Sequence, residues 1–498
     1  MIAMTAAQVA AATGGRLCPE DLDPATVVTG PVVVDSRQVE HGSLFVALPG
    51  EQVDGHDFAG AAVRAGASLV LAARPVTQEG PGGPVELPAV VVDDVEKALG
   101  DLARAVLAQL REAAVEPGGT DLRVIGVTGS VGKTTTKDLL AQLCAADGPT
   151  VAPVKSFNNE IGLPLTVLRA DEQTRYLVLE MGASGIGHLT YLTGIAAPDV
   201  AVVLVVGHAH LEGFGGIEAV ARAKAELVAG LASGGVAVLN ADDDRVLAMA
   251  AQAPGPVATF GTTTGADVRA VDLRVDRAGR AAFTLDAGPV PPVEGDAPGE
   301  RRRAEVTLRL VGEHHVHNAL AAAAAALAVG LPLEDVAAGL SAADALSPHR
   351  MHVVERADGI TVVDDSYNAN PDSMRAALRA LAVLAGRERR SVAVLGEMME
   401  LGADSRTEHE AIGLQVVRLN VGLTVVVGQG ALGIFAGAQR EGSWGDEVVM
   451  VDDVDAAAAF LEGALRPGDV VLVKSSNDAG LWRLGDLLTD GTPAEVRP

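Results

Sequence analysis

The stretch GVTGSVGKTTTK, residues 126–137, sets Gly126, Gly129 and Gly132 three apart and follows them with Lys133, Thr134 and Thr135. An apolar run precedes it and a helical pattern follows, the context of a phosphate-binding loop. Glycines leave backbone N–H groups free to wrap an anion, and the helix N-terminus adds partial positive charge. Gly129, Ser130, Gly132 and Thr135 then line the turn, Lys133 reaches the β- and γ-phosphates, and Thr134 offers a hydroxyl to magnesium. The commoner pattern has glycine where Val127 stands, and Gly-x-x-Gly-x-x-Gly-Lys-Thr is the narrower form. Further on, the apolar run YLVLE ends in Glu180, a carboxylate at the carboxyl end of a buried strand, where open sheets bind ligands. A second-strand acid commonly shares the magnesium of such a loop, so Glu180 is read as a metal ligand, its alternative being a surface acid.

Two more side chains extend this chemistry. His208 and His210 follow another apolar run at period-two spacing and can face one side; one of them is a candidate metal ligand, against the alternative of solvated loop histidines. Lys224 lies on an Ala-rich helical stretch. The lysines are Lys97, Lys133, Lys137, Lys155, Lys224 and Lys474, and every other basic residue of the 38 is Arg. A chain that meets surface charge with Arg invites a chemical reason for each retained Lys. A partly desolvated amine has a lowered pKa, and its neutral form can add carbon dioxide, giving a carbamate able to ligate a cation.

The elements that must position these groups follow from patterning. A chain of 498 residues divides into about three domains at ~150 residues each. From Val32 to Ala98, Val-rich strands alternate with Ala-rich helices, and REAAVEPGGTD (111–121) is a polar break. LRVIGVTG, YLVLEMG, VAVVLVV and VAVLNADD are continuous apolar runs, as in a parallel sheet covered on both faces. The Pro/Gly-rich run 288–303 reads as an exposed loop without function, and after SPHRM (347–351) a third alternating set begins. The expected fold is α/β in three domains: residues 1–118, a central P-loop parallel-sheet domain 119–346, and a Rossmann-like domain 347–498.

Composition excludes other classes. A formal charge of −27 repels nucleic acid, and few aromatics leave no base-stacking surface. Cys18 and Cys144 supply neither a disulfide framework nor a metal pair. The N-terminal residues read as a capped helix through Thr5 and Gln8 in place of a secretion signal, and apolar runs are too short to span ~20 residues of bilayer. A cytoplasmic chain without membrane insertion, acting as a monomer, is expected.

Taken together these segments resemble the Mur ligase family over nearly the whole length. DSRQVEHGSLFVALPG and DGHDFAGAAVRAGA are similar to its UDP-sugar-binding segments, which implies that Ser36, Arg37, Asp54, Gly55 and His56 lie near that substrate. GVTGSVGKTTT, SFNNEIGLPLTVL, LEMGASGIGHL, AHLEGFGGIEAVARAKAE, VLNADD and GEHHVHNALAA follow family segments in order. The resemblance implies ATP and two magnesium ions as cofactors: Lys133 and Thr134 serve ATP and the first ion, Glu180 bridges, and His210 with carbamylated Lys224 holds the second. It further implies that Asn318 contacts adenine, Arg350 a phosphate and Asp365 the ribose.

DDSYNANP, with Tyr367, Asn368 and Asn370, and SFNNEIG, with Asn158 and Asn159, point within the family to substrates UDP-N-acetylmuramoyl tripeptide and D-alanyl-D-alanine. The implied reaction forms an amide through an acyl phosphate, a step of cell-wall precursor synthesis. Two departures stand out: His314–His315 replaces His-Asn, and Lys474-Ser475-Ser476-Asn477 replaces Lys-Gly-Ser-Arg. The dipeptide carboxylate is then left to Lys474, with Ser475 or Ser476 beside it. Closure of the third domain is expected to hinge near 116–121 and 344–349.

Overall fold

The computed structural model describes all residues except 51–52, 81–82, 154–155, 208–214, 292–300, 443–444 and 491–498. Three main sheets follow one another along the chain. The first has five strands, in the order Arg16–Cys18, Ala89–Val91, Leu69–Ala72, Leu44–Val46 and Val32–Val33; only the first pairing is antiparallel.

The central sheet has nine strands. Thr150–Val151, Tyr176–Glu180, Arg123–Thr128, Val200–Val203, Val236–Asn240, Val257–Gly261 and Val268–Val275 run parallel, and Arg280–Ala287 and Arg302–Val311 add an antiparallel edge. Burial on both faces is why the parallel strands read as unbroken apolar runs. The edge strands alternate buried and exposed positions, as one-sided strands must. The third sheet has six strands, in the order His352–Glu355, Thr361–Asp364, Val470–Lys474, Ser391–Leu395, Leu423–Val427 and Val448–Val451, the first antiparallel and the rest parallel.

The run 288–303 is not wholly an idle loop. Arg301 and, from the strand that starts at Arg302, Arg303 both ion-pair with Asp286, a fully buried carboxylate that also holds Arg269. An acid buried to that depth is tolerated because cations and hydrogen bonds neutralise it.

Apolar packing joins the first two sheets. The helix Val95–Val115 starts with Asp94 accepting from the Lys97 N–H, and its face of Leu99, Leu102, Val106 and Leu110 shares one core cluster with Leu163, Leu179 and Leu189 of the central region. Residues 116–121 thus bridge two parts of one continuous core. Among the described residues, the third sheet's clusters take only Val311 from before residue 351. The expected joint at 344–349 therefore stands against little shared apolar surface, whereas the one at 116–121 stands within a continuous core.

Candidate active site

The strand Arg123–Thr128 lies between Tyr176–Glu180 and Val200–Val203, so the carboxyl ends of three adjacent strands meet at one crevice. From the middle strand the chain turns through Gly129 and Gly132 into the helix Lys133–Asp147. Gly132 has φ +85°, and a Cβ there would lie 2.4 Å from Asn318 Oδ1. Only glycine fits the turn. The crevice is a cavity of about 950 Å³ lined by Ser130, Gly132, Lys133, Thr134, Thr135, Asn158, Asn159, Glu180, Lys224 and Asn318 from the central region, and by Arg350, Asp365, Tyr367, Asn368, Asn370 and Lys474 from the third.

Electrostatics inside it are unusual. Glu180 is 1% exposed; its Oε1 accepts from Asn158 Nδ2 at 2.7 Å, while Oε2 is buried with no partner among the described residues. A carboxylate oxygen held dry and unbonded has the chemistry of a cation ligand awaiting its ion. Burial lowers the Lys133 ammonium's affinity for its proton, with Glu180 opposing and Arg350 adding to that effect. Burial, reinforced by repulsion from Lys133, drops Lys224 well below the ordinary lysine range. Lys224 is 3% exposed, and desolvation to that degree favours the neutral amine over the ammonium, the neutral form being the one that accepts carbon dioxide. Thr134 and Glu180 offer oxygen donors of the kind magnesium takes. His208 and His210 lie outside the described residues.

Arg350 ties the third region to the phosphate loop. Its Nη2 donates to Ser156 Oγ at 3.1 Å, and Ser156 Oγ is 3.0 Å from Thr134 Oγ1. The guanidinium stacks over Tyr367, 4.3 Å from the ring centre. Both neighbours of Arg350 have left-handed backbone, His349 at φ +57° and Met351 at φ +50°. Such residues cost about 1–3 kcal/mol each and persist where surrounding contacts over-determine them.

Other expected ligands serve the protein itself. Lys474 is 1% exposed; its ammonium donates to Asp365 Oδ2 at 2.6 Å and to the Asn368 carbonyl at 2.8 Å. Ser475 is fully buried, donates to the Ser476 carbonyl and does not reach the cavity. Ser36, Arg37, Asp54, Gly55 and His56 sit apart from the cavity in the first region. There Asp54 accepts from the His56 N–H and from Arg74, which together with the His56 ring hold its carboxyl far below the usual range, and His56 Nε2 accepts from the Ala73 N–H. Arg37 is exposed and paired with Asp35.

Sequence reasoning missed Ser156, although its segment was singled out, and His317, whose Nε2 lies 2.9 Å from Asp242 Oδ2 on the cavity wall. At the departure from His-Asn, the His315 ring nitrogen Nδ1 stands 3.2 Å from Asn318 Nδ2, so the replacement still touches the residue expected at adenine.

A glycine turn with lysine, threonine and a buried acid, covered by an arginine from a second α/β unit, defines a P-loop nucleotide-binding enzyme built from three α/β regions. Three family models match it in order: "Mur ligase family, catalytic domain" over residues 31–106, "Mur ligase middle domain" over 127–326, and "Mur ligase, glutamate ligase domain" over 349–477. The chain is 47% identical to the UDP-N-acetylmuramoyl-tripeptide–D-alanyl-D-alanine ligase of Mycobacterium tuberculosis over 100% of both proteins, and 35% identical to that of Escherichia coli over 83% of each. Among solved structures it is similar to MurF from Acinetobacter baumannii (TM-score 0.82, 31% identity, 98% of this chain and 99% of that one). It also resembles the MurF ligase from Thermotoga maritima in complex with ADP (TM-score 0.74, 29% identity, 93% and 98%). The chain belongs to the Mur ligase family.

Proposed function

We propose that this chain joins D-alanyl-D-alanine to UDP-N-acetylmuramoyl tripeptide, cleaving ATP to ADP and phosphate, in cell-wall precursor synthesis. The observation that carries the reading is the single cavity uniting Lys133, Thr134, Glu180 and Lys224 with Arg350. The likeness to ligases of that name over the whole chain supports the choice of substrates. None of the described helices is long and apolar enough to cross a membrane, in keeping with action in the cytoplasm on soluble precursors.

A carboxylate is a poor electrophile, so the tripeptide carboxylate first attacks the γ-phosphorus of ATP, giving an acyl phosphate and ADP. The dipeptide amine then adds to the acyl carbon, and phosphate leaves as the amide forms. In the first step, Gly129, Ser130, Gly132 and Thr135 hold the phosphates through the loop and helix N-terminus. Lys133 and Arg350 approach the transferred phosphoryl group from opposite regions and balance its charge while the oxygens are kept in line. Asn318 and Asp365 take the base and ribose.

Thr134 and Glu180 would hold a first magnesium and Glu180, His210 and carbamylated Lys224 a second, supplying charge neutralisation at the phosphates. Asn158 keeps Glu180 oriented. Asn159, Tyr367, Asn368 and Asn370 line the space left for the peptide ends, and the first region, with Ser36, Arg37 and the Asp54–His56 loop, takes the UDP-sugar. Closing the third region over the cavity excludes water from the acyl phosphate.

The test is incubation with ATP, magnesium, UDP-N-acetylmuramoyl tripeptide and D-alanyl-D-alanine, with product mass and ADP measured together. A product heavier by one dipeptide less water is expected. ADP release with no such product, or equal use of a single amino acid, would remove the assignment.

A further inference from the structure

Arg350 is held in an uncommon way. Two adjacent carboxylates, Asp364 and Asp365 at the end of the strand Thr361–Asp364, grip the residues on either side of it. On one side, His349 Nδ1 lies 2.6 Å from Asp364 Oδ2, and its Nε2 lies 3.7 Å from Asp486 Oδ1. On the other, the Met351 N–H donates to Asp365 Oδ1 at 3.1 Å. The His349 carbonyl also accepts from the Tyr367 N–H at 3.2 Å, and Tyr367 is the ring beneath the guanidinium.

Asp364 is itself fixed. It is 2% exposed, accepts from both the N–H and the hydroxyl of Ser366, and faces Gly485, where a Cβ would approach its Oδ1 to 2.5 Å. Only a glycine lets the helix Trp482–Asp490 come that close. His349 therefore anchors to a rigid point of the third sheet, while Arg350 reaches across to Ser156, whose hydroxyl lies 3.0 Å from Thr134 Oγ1 of the phosphate loop.

We infer that His349 is a positioning residue for Arg350: its bond to Asp364 holds the left-handed turn that aims the guanidinium at the phosphate loop, so that moving the third sheet moves the arginine with it. This rests on the reading of Arg350 as a phosphoryl-contacting group. His349 touches no substrate in this scheme and acts through its neighbour. The hydrogen bond locks the turn, and the backbone conformation alone does not.

Three substitutions separate those contributions. His349→Ala removes the donor and strains the turn. His349→Gly removes the donor but adopts left-handed backbone freely. His349→Asn places an amide N–H near the position of Nδ1 and tolerates the left-handed region.

The assay is ligation with ATP varied, together with thermal unfolding of each variant. Loss of about an ångström of alignment costs on the order of 100-fold, so the Ala and Gly variants are expected to lose about that in kcat/KM for ATP, with the KM for the tripeptide unmoved. His349→Asn is expected to recover about 10-fold of it, as a donor in the same place restores part of the alignment. In the His349→Ala/Arg350→Ala pair, loss no greater than that of Arg350→Ala alone supports action through the arginine. Additive losses in the double variant, or a Gly variant as active as wild type, would overturn the inference. A wild-type protein with no ligation at all would instead strike the functional reading beneath it.

Discussion

Lys224→Met tests the part of the site on which the chemistry depends most. In the helix Ile217–Ala229 this amine is shifted by desolvation and by the repulsion of Lys133, with no carboxylate among the described residues offsetting them. The fold therefore holds it neutral over a pH range in which the unfolded chain carries it as an ammonium. The unfolded state binds the extra proton, so this group's contribution to stability rises with pH until the ordinary lysine value of ~10.4, and its penalty is greatest at lower pH. While the difference is a whole proton, the slope is about 1.4 kcal/mol per pH unit. Methionine keeps an unbranched chain of similar size and removes the titration. The variant should be the more stable protein near neutrality, and its advantage in Tm should shrink steadily as pH rises. Subtracting the two proteins' melting curves, taken in carbon-dioxide-free and magnesium-free buffer between roughly pH 7 and 9, cancels the titrating groups that do not interact with Lys224. Ligation by the same variant should fall by at least about 100-fold, the scale for losing one buried electrostatic partner of the reacting group. Parallel stability curves would show that the amine stays charged in the fold, and wild-type ligation by the variant would show that no carbamate is needed.

Glu180→Gln keeps the oxygen that accepts from Asn158 and removes the charge, so folding should hold while kcat falls on the order of 100- to 1,000-fold and the magnesium requirement rises, read by metal titration of the rate. Gly132→Ala forces a Cβ against Asn318 at a φ that L-residues resist by about 1–2 kcal/mol, and calorimetry should find ATP binding weakened by at least about 10-fold. Asp286→Ala leaves Arg269, Arg301 and Arg303 without their buried partner and should cost about 3–5 kcal/mol in denaturant unfolding. Burial works against the Asp286 carboxylate, but the hydrogen bonds from Arg269 and Arg301 win and hold its pKa below the ordinary value. Its stabilisation is therefore present above the usual carboxylate range of ~3.9 and lost as pH falls through the folded value, so the gap between the two proteins should close in acid.

The sheets were legible because residue type reports burial on both faces: YLVLE, VAVVLVV and VAVLNADD became parallel strands of the central sheet. Less legible was how the regions share their interior. The polar break at 111–121 looks like a linker, yet the helix before it, Val95–Val115, packs its apolar stripe into the central core. A linker's composition describes its own solvation and says nothing of what the preceding helix covers. The strands Arg280–Ala287 and Arg302–Val311 were legible as amphipathic β-like runs on either side of the loop, but Arg301 and Arg303 read as loop charges until Asp286 is seen beneath them.

At the site, chemistry that depends on residue type was readable and chemistry that depends on remaining valence was not. Glycine spacing before Lys133 needs no coordinates to interpret. Lys474 looks from sequence like a free cation for a carboxylate, yet in the fold its proton donors go to Asp365 and to backbone carbonyls. Conversely, Glu180 could be any strand-end acid until one oxygen is found bonded and the other buried and bare. His349 and Met351 carry no sequence sign of left-handed backbone, because neither is glycine or asparagine; only their bonds to Asp364 and Asp365 show why the strain is kept. Among the described residues, Glu180 keeps an unengaged oxygen beside the glycine turn, whereas the Lys474 ammonium is already taken up by Asp365 and the Asn368 carbonyl.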